Sequence, residues 1–194
     1  MRDLVFIDLE TTHLNPTIGE IIEIALVKVS KDGETRFVSK IYPERIQFAS
    51  KRSLEINRYN EKEWQDAPRA SEIAPKIASL ISGAVLVGHN VSFDYEYLEE
   101  FLHRHNQKFR ASHRKIDTIV LAHEHLPFLP SYSLENLRRF FSLPLEGSHR
   151  AEKDLDDMRS IYRRLCRASL FSRLYWRLRY NIKRRFDGLR LLWK

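Results

Sequence analysis

One cysteine in 194 residues leaves no internal disulfide to form, and Cys166 has no neighbouring cysteine with which to build a zinc site. Disulfide scaffolds and zinc modules are excluded, and Cys166 is expected to pack against the core. No apolar run approaches the ~20 residues needed to cross a bilayer, so no transmembrane segment is expected. Met1-Arg2-Asp3 runs straight into Leu4-Val5-Phe6-Ile7, without the basic start, long apolar stretch and small-residue cleavage site of a signal peptide. A cytoplasmic location is the expectation. Internal repeats and low-complexity stretches are also missing. Acid is scarce at one end: residues 159–194 hold 12 Lys+Arg against one Asp, net +11, while residues 1–158 hold 21 against 25, net −4. A basic segment on an acidic body signals a polyanionic partner.

What the chain does have is enough apolar material, 43%, for one proper core. Residues 3–8, 21–29 and 35–42 read as strands, with Asp32-Gly33 as a hairpin turn between the last two. Residues 44–65 mix polar and aromatic groups without a period. Ile73, Ile77, Leu80 and Ile81 stand at helical spacing within 70–82, ahead of the buried-looking strand Ala84-Val85-Leu86-Val87. A helix over 93–105, a short strand over 115–118 and a helical turn over 121–125 follow, the last ended by the loop Pro127–Pro130. Ser133 and Asn136 open a helix over 134–141, and another runs from about Ala151 with Met158, Ile161, Tyr162 and Leu165 on one face. Strands first and then alternating helices and strands predict an α/β domain with a mixed five-stranded sheet.

Three acidic clusters interrupt this pattern. Asp8 and Glu10 end the first strand two residues apart, hence on one face of an extended chain, with Ile7 and Leu9 on the other. Paired buried charge is costly unless a cation neutralises it. His89-Asn90-Val91-Ser92-Phe93-Asp94 sits where the central strand turns into a helix, the place where function collects in α/β sheets. His149-Arg150-Ala151-Glu152-Lys153-Asp154 opens the helix that begins near 151, followed at once by Asp156 and Asp157. Each cluster also has an ordinary reading: solvated acids at a strand end, an acid complementing a helix dipole, a surface histidine in a loop.

In this order and spacing, Asp8-x-Glu10-Thr11-Thr12, His89-Asn90-x-x-Phe93-Asp94 and His149-x-Ala151-x-x-Asp154 resemble the DEDD exonucleases, and within them the DnaQ-like subgroup that has a catalytic histidine. The likeness spans about residues 3–168. It implies a ribonuclease H-like fold and 3′–5′ exonuclease activity. Asp8, Glu10, Asp94 and Asp154 would hold two divalent metals, with His149 as general base. It further implies that Thr11, Thr12, His13, Leu14, His89, Asn90 and Phe93 lie against the terminal nucleotides. At His13 the family usually has glycine, a departure that bears on substrate preference and not on the metal ligands. Asp117 is implied to be structural support.

An oxygen-only ligand set selects Mg²⁺, or Mn²⁺, over zinc. Two such ions, a 3′ end and a basic site at His149 would release 5′-mononucleotides. DNA and RNA share these motifs, so an RNA-trimming oligoribonuclease stands as an alternative, as does a non-catalytic nucleic-acid-binding subunit of a polymerase or repair complex. The domain is expected over 1–168. Residues 169–194 form a basic amphipathic extension, with Leu174, Leu178, Ile182, Phe186, Leu189 and Trp193 on one stripe, Arg173, Arg177, Arg184 and Arg185 between them, and Gly188 as a point of bending. That helix could lay its stripe on the domain, hold the nucleic-acid backbone, stack Tyr175, Trp176 and Tyr180 on bases, or dock on a polymerase, another protein or a lipid surface.

Overall fold

The computed structural model describes residues 2–146 and 150–191, with side chains described up to Ile182. Among these residues five strands form one mixed sheet: β1 (Leu4–Thr11), β2 (Ile21–Ser30), β3 (Gly33–Lys40), β4 (Val85–Gly88) and β5 (Lys115–Asp117). Their order across the sheet is β3-β2-β1-β4-β5. The β2–β3 hairpin turns at Asp32-Gly33, where Gly33 takes φ +124°, a value that L side chains rarely adopt. β1 is antiparallel to β2 and parallel to β4, which is parallel to β5. Parallel neighbours need crossovers. These are supplied by α3 (Ala70–Ile81) before β4 and α4 (Val91–Arg104) before β5.

Side-chain parity along β1 divides the core. Val5, Ile7 and Leu9 face a large cluster with Ile77, Ile81, Leu98 and Leu102 of α3 and α4. Phe6 faces the other side, where Ala151, Leu155 and Met158 of α7 (Ala151–Cys166) cover it. Asp8 and Glu10 share the parity of Phe6, so their strand face is the one covered by α7. A third cluster joins Ile161 and Leu165 of α7 to α5 (Thr118–His125) and α6 (Leu134–Phe141).

The aperiodic stretch 44–65 contains three short helical segments: a 3₁₀ turn Ile46–Phe48, α1 (Lys51–Ile56) and α2 (Glu61–Trp64). Caps rather than amphipathic periods start α1 and α2, the side chains of Ser50 and Asn60 accepting from Ser53 N and Lys62 N. Trp64 anchors the stretch, fully buried with its indole N–H donating to Ile22 O at 2.7 Å.

Two expectations are corrected. Cys166 is exposed, because it follows Leu165 by one residue, and a helix turns ~100° between them. The last helix, α8 (Leu170–Leu191), docks on the domain through Trp176 and Tyr180, whose rings meet Phe140, Phe141 and Phe128. Those two half-buried rings pack on the domain, while Tyr175 is exposed. The stripe Leu174, Leu178 and Ile182 faces outward, at 67%, 61% and 47% exposure. Phe186, Leu189, Trp193, Arg184 and Arg185 lie outside the residues whose side chains are described. Trp176→Ala should lower unfolding stability by about 2 kcal/mol. Leu174→Glu with Leu178→Glu should change it by no more than about 0.5 kcal/mol per site, both read from urea denaturation.

Candidate active site

Three carboxylates meet at the carboxyl end of the central strand. Asp8 and Glu10 of β1 and Asp154 of α7 each offer an oxygen, and the three oxygens lie within 4.8 Å of one another. Asp154 arrives there because it shares the inner face of α7 with Ala151, Leu155 and Met158. Asp94, in the first turn of α4, stands outside this tight group but is buried, accepts from the backbone of Leu9 and acts electrostatically on Asp8.

Crowding of like charge away from water governs the electrostatics. Burial, and then the charges of Asp94, Glu10 and Asp154, push the Asp8 carboxyl well above the ordinary range. Burial, then Asp154 and Glu23, raise Glu10 to about 8. Asp94 is also raised well above the ordinary range, by burial first. Burial and mutual repulsion disfavour the charged forms of Asp8, Glu10 and Asp94, which marks a site short of positive charge. Among the described residues the tight group holds oxygen donors alone, which suit a hard divalent cation.

Residues that drew no attention in the sequence complete the surroundings. Glu23 stands opposite Glu10 in the β1–β2 register, buried, with Arg150 at 3.7 Å. The Arg150 charge works against the rise of both glutamates. Arg138 of α6 is buried with Nη2 2.6 Å from Asp154 and Nε 2.7 Å from Asp157. Of the acids that follow Asp154, Asp156 is turned outward to Arg36, and Asp157 is buried against Arg138 and Lys153. Glu23 had a visible signal, an acid inside the apolar run Ile21-Ile22-Glu23-Ile24. Arg138 had none, being one of two adjacent arginines on an amphipathic helix.

Backbone accounting explains the other motif residues. Asp117 caps α5 by accepting from Ile119 N at 2.8 Å, and also accepts from Asn90 N and Val91 N at 3.2 and 3.1 Å. It holds the turn in which Asn90 takes a left-handed conformation, φ 68°, and from which α4 and Asp94 depart. Thr118 Oγ1 donates to Gly88 O at 3.1 Å and stands 2.8 Å from His89 Nδ1, so the imidazole is the donor in that second bond. The His89 ring is thus turned into the domain, and burial holds its pKa below the ordinary value.

The segment after β1 is tied at several points. Thr11 donates its hydroxyl to His13 O, and Thr12 Oγ1 accepts from Glu20 N. Buried Asn57 donates to Thr11 O at 2.9 Å, Tyr97 donates its hydroxyl to His13 O, and Arg104 donates to the carbonyls of Pro16, Thr17 and Gly19 at 2.6–2.9 Å. His13 has its Nδ1 occupied by Asn15 N. The loop presents Leu14, 79% exposed. Phe93 is half-buried, its ring tilted against that of Tyr97 with centroids 4.9 Å apart, so one tyrosine supports both the loop and Phe93. A side chain at Gly19 would meet Tyr97 Oη at 2.5 Å and His13 Cβ at 2.8 Å. His149 lies outside the described residues, immediately before Arg150 and the start of α7.

A family model described as exonuclease matches residues 5–162. The chain belongs to the exonuclease family. The ε subunit of DNA polymerase III from Treponema pallidum is 35% identical over 150 residues, covering 76% of this chain and 68% of that protein. A PolC-type DNA polymerase III from Caldanaerobacter subterraneus is 31% identical over 156 residues, of which this exonuclease spans only 11% of the length. In structure, E. coli exonuclease I in complex with a dT13 oligonucleotide superposes with TM-score 0.73 at 18% identity, over 90% of this chain and 43% of that one. The exonuclease is thus of the DnaQ-like kind, with the ribonuclease H-like fold that its three motifs imply, and is a metal-dependent 3′–5′ exonuclease.

Two outcomes are expected. With Glu10 at about 8 in the folded chain against an ordinary 4.5, the folded state binds more protons than the unfolded one between those values. Stability without metal should therefore fall as pH rises through that window, and Mg²⁺ should counter the fall. Melting curves at pH 5 and pH 8, with EDTA or with Mg²⁺, measure both. Asp117→Ala removes the acceptor of three backbone N–H groups and should cost about 2 kcal/mol in urea unfolding.

Proposed function

We propose that the protein removes nucleotides one at a time from the 3′ end of DNA, giving 5′-mononucleotides, with two Mg²⁺ ions held by Asp8, Glu10, Asp94 and Asp154. Mn²⁺ would serve the same ligands. The observation that carries the reading is the meeting of Asp8, Glu10 and Asp154 oxygens within 4.8 Å, in buried surroundings that raise the pKa of two of these acids. DNA is favoured over RNA by the relatives, one named as the ε subunit of DNA polymerase III and one as a PolC-type DNA polymerase III, and by the oligodeoxynucleotide bound to E. coli exonuclease I.

Divalent ions held by these acids would lower the pKa of a bound water and stabilise charge on the phosphoryl and departing oxygens. The chain's own residues do the rest. His149, which precedes Arg150 in the sequence, would take the proton of the attacking water. Asp8 and Glu10 are aimed by a strand and Asp154 by a helix packed on that strand, so their geometry costs little to hold during reaction. Leu14 and Phe93 meet the terminal bases, with His13, Asn90 and the backbone at Thr11 and Thr12 beside them, and Tyr97 and Arg104 keep the loop in place. His89, its ring held through Nδ1 by Thr118, stands beside them.

Residues 1–168 form the catalytic domain in this reading and 169–194 a basic extension. A partner protein, a polymerase above all, would meet the chain on α8, where Leu170, Phe171, Leu174 and Leu178 stand exposed.

Digestion of 3′-labelled and 5′-labelled single-stranded DNA and RNA with Mg²⁺ tests the proposal. The 5′-labelled DNA should shorten stepwise, the 3′-labelled DNA should release its label as mononucleotide, and RNA should react more slowly. EDTA and Asp8→Ala should each abolish the reaction. Removal from the 5′ end, internal cuts, or equal cleavage by Asp8→Ala would overturn it.

A further inference from the structure

Arg138 is the group that the reaction as described above does not use. It lies on α6 between Leu137 and Arg139, and the two arginines have opposite fates. Arg139 is exposed and pairs with Glu135 one turn away on the same helix. Arg138 has a side chain only 2% exposed, turned toward α7. Its guanidinium bridges Asp154 at 2.6 Å and Asp157 at 2.7 Å, one turn apart on that helix. Burying a guanidinium is expensive, and an apolar residue of similar volume would join α6 to α7 at less cost. A purely structural tie also has no need of a metal-ligand carboxylate as one of its ends. Asp157 keeps a second cation, Lys153 at 2.5 Å, so it does not depend on Arg138 alone.

We propose that Arg138 is a built-in counter-cation of the acid cluster, a positioning residue that fixes the carboxylate of Asp154 and lowers the site's affinity for divalent metal. Asp157 anchors Arg138 and so adjusts that affinity from a turn away. The inference rests on the reading of Asp8, Glu10, Asp94 and Asp154 as metal ligands. A fixed positive charge on one ligand makes the group less negative toward an incoming cation while sparing the metal-free protein part of the repulsion among its acids. Release of metal between turnovers becomes easier, and the ligands stay in place while it is gone.

The test is calorimetric titration of Mn²⁺ into the full chain without substrate, for wild type, Arg138→Lys and Arg138→Met. Loss of a unit charge this close to the cluster should tighten Mn²⁺ binding about ten-fold in Arg138→Met. Arg138→Lys, which keeps the charge, should stay near wild type. The melting temperature in EDTA should fall for Arg138→Met, and the Mg²⁺ concentration giving half-maximal nuclease rate should fall with it. A residue that only ties two helices together would lower the melting temperature of both variants and leave Mn²⁺ affinity unmoved or weakened. Unchanged or weaker binding in Arg138→Met, with wild type binding normally, overturns this proposal alone. Absence of Mn²⁺ binding in wild type overturns the metal-site reading and this proposal with it. If Arg138→Met does not fold, Arg138→Gln, which removes the same charge and keeps a polar side chain toward Asp154 and Asp157, is judged by the same direction of change.

Discussion

Negative charges confined out of water repel one another, and the exonuclease is organised around containing that repulsion. Asp8, Glu10 and Asp154 share one small volume, with Asp94 near enough to act on Asp8. No local propensity favours such a meeting. It is forced by the apolar packing on either side: the β1 residues facing α3 and α4, and Phe6 with Ala25, Val27 and Val87 against α7. Hydrophobic burial of this size outweighs the cost of a few crowded carboxylates, which a fold can then carry as stored affinity for cations.

Cations of the chain itself answer part of that charge. Arg150 stands by Glu10 and Glu23 at one side, and Arg138 by Asp154 and Asp157 at the other. Both sit on or against α7, the element that brings Asp154 in. Compensation and ligand therefore come from the same surface, and a shift of α7 would move them together. The turn at Asn90, pinned by Asp117, and the loop at His13, pinned by Tyr97 and Arg104, complete the frame, and the Asp117 carboxylate adds its own charge to the surroundings of Asp94.

Much of this architecture is legible in the sequence. The strands and the helices over 70–81, 91–104, 134–141 and 151–166 follow from periods of two and 3.6, and a two-residue spacing places Asp8 and Glu10 on one strand face. The short helices over 46–64 are not legible, since caps and the Ile22 contact of Trp64 define them rather than periodicity. Periodicity also reports a stripe without saying what covers it. On α8 the leucines make the better stripe, yet the aromatic pair Trp176 and Tyr180 finds the matching rings of Phe128, Phe140 and Phe141. Arg138 is illegible for a related reason: hydropathy sends arginines to water, and only a long-range acid pair can retain one inside.

The alternation of faces along β1 has a consequence for how such a chain can change over time. Val5, Ile7 and Leu9 belong to one core and Phe6 to the other, and the two acids keep the parity of Phe6. Inserting or deleting a single residue ahead of Asp8 would slip the register and swing both acids to the side of α3 and α4, among isoleucines and leucines. Substitution within the strand can be absorbed one side chain at a time. Its length admits no such gradual drift, so natural variation in this segment should be confined to exchanges at constant length.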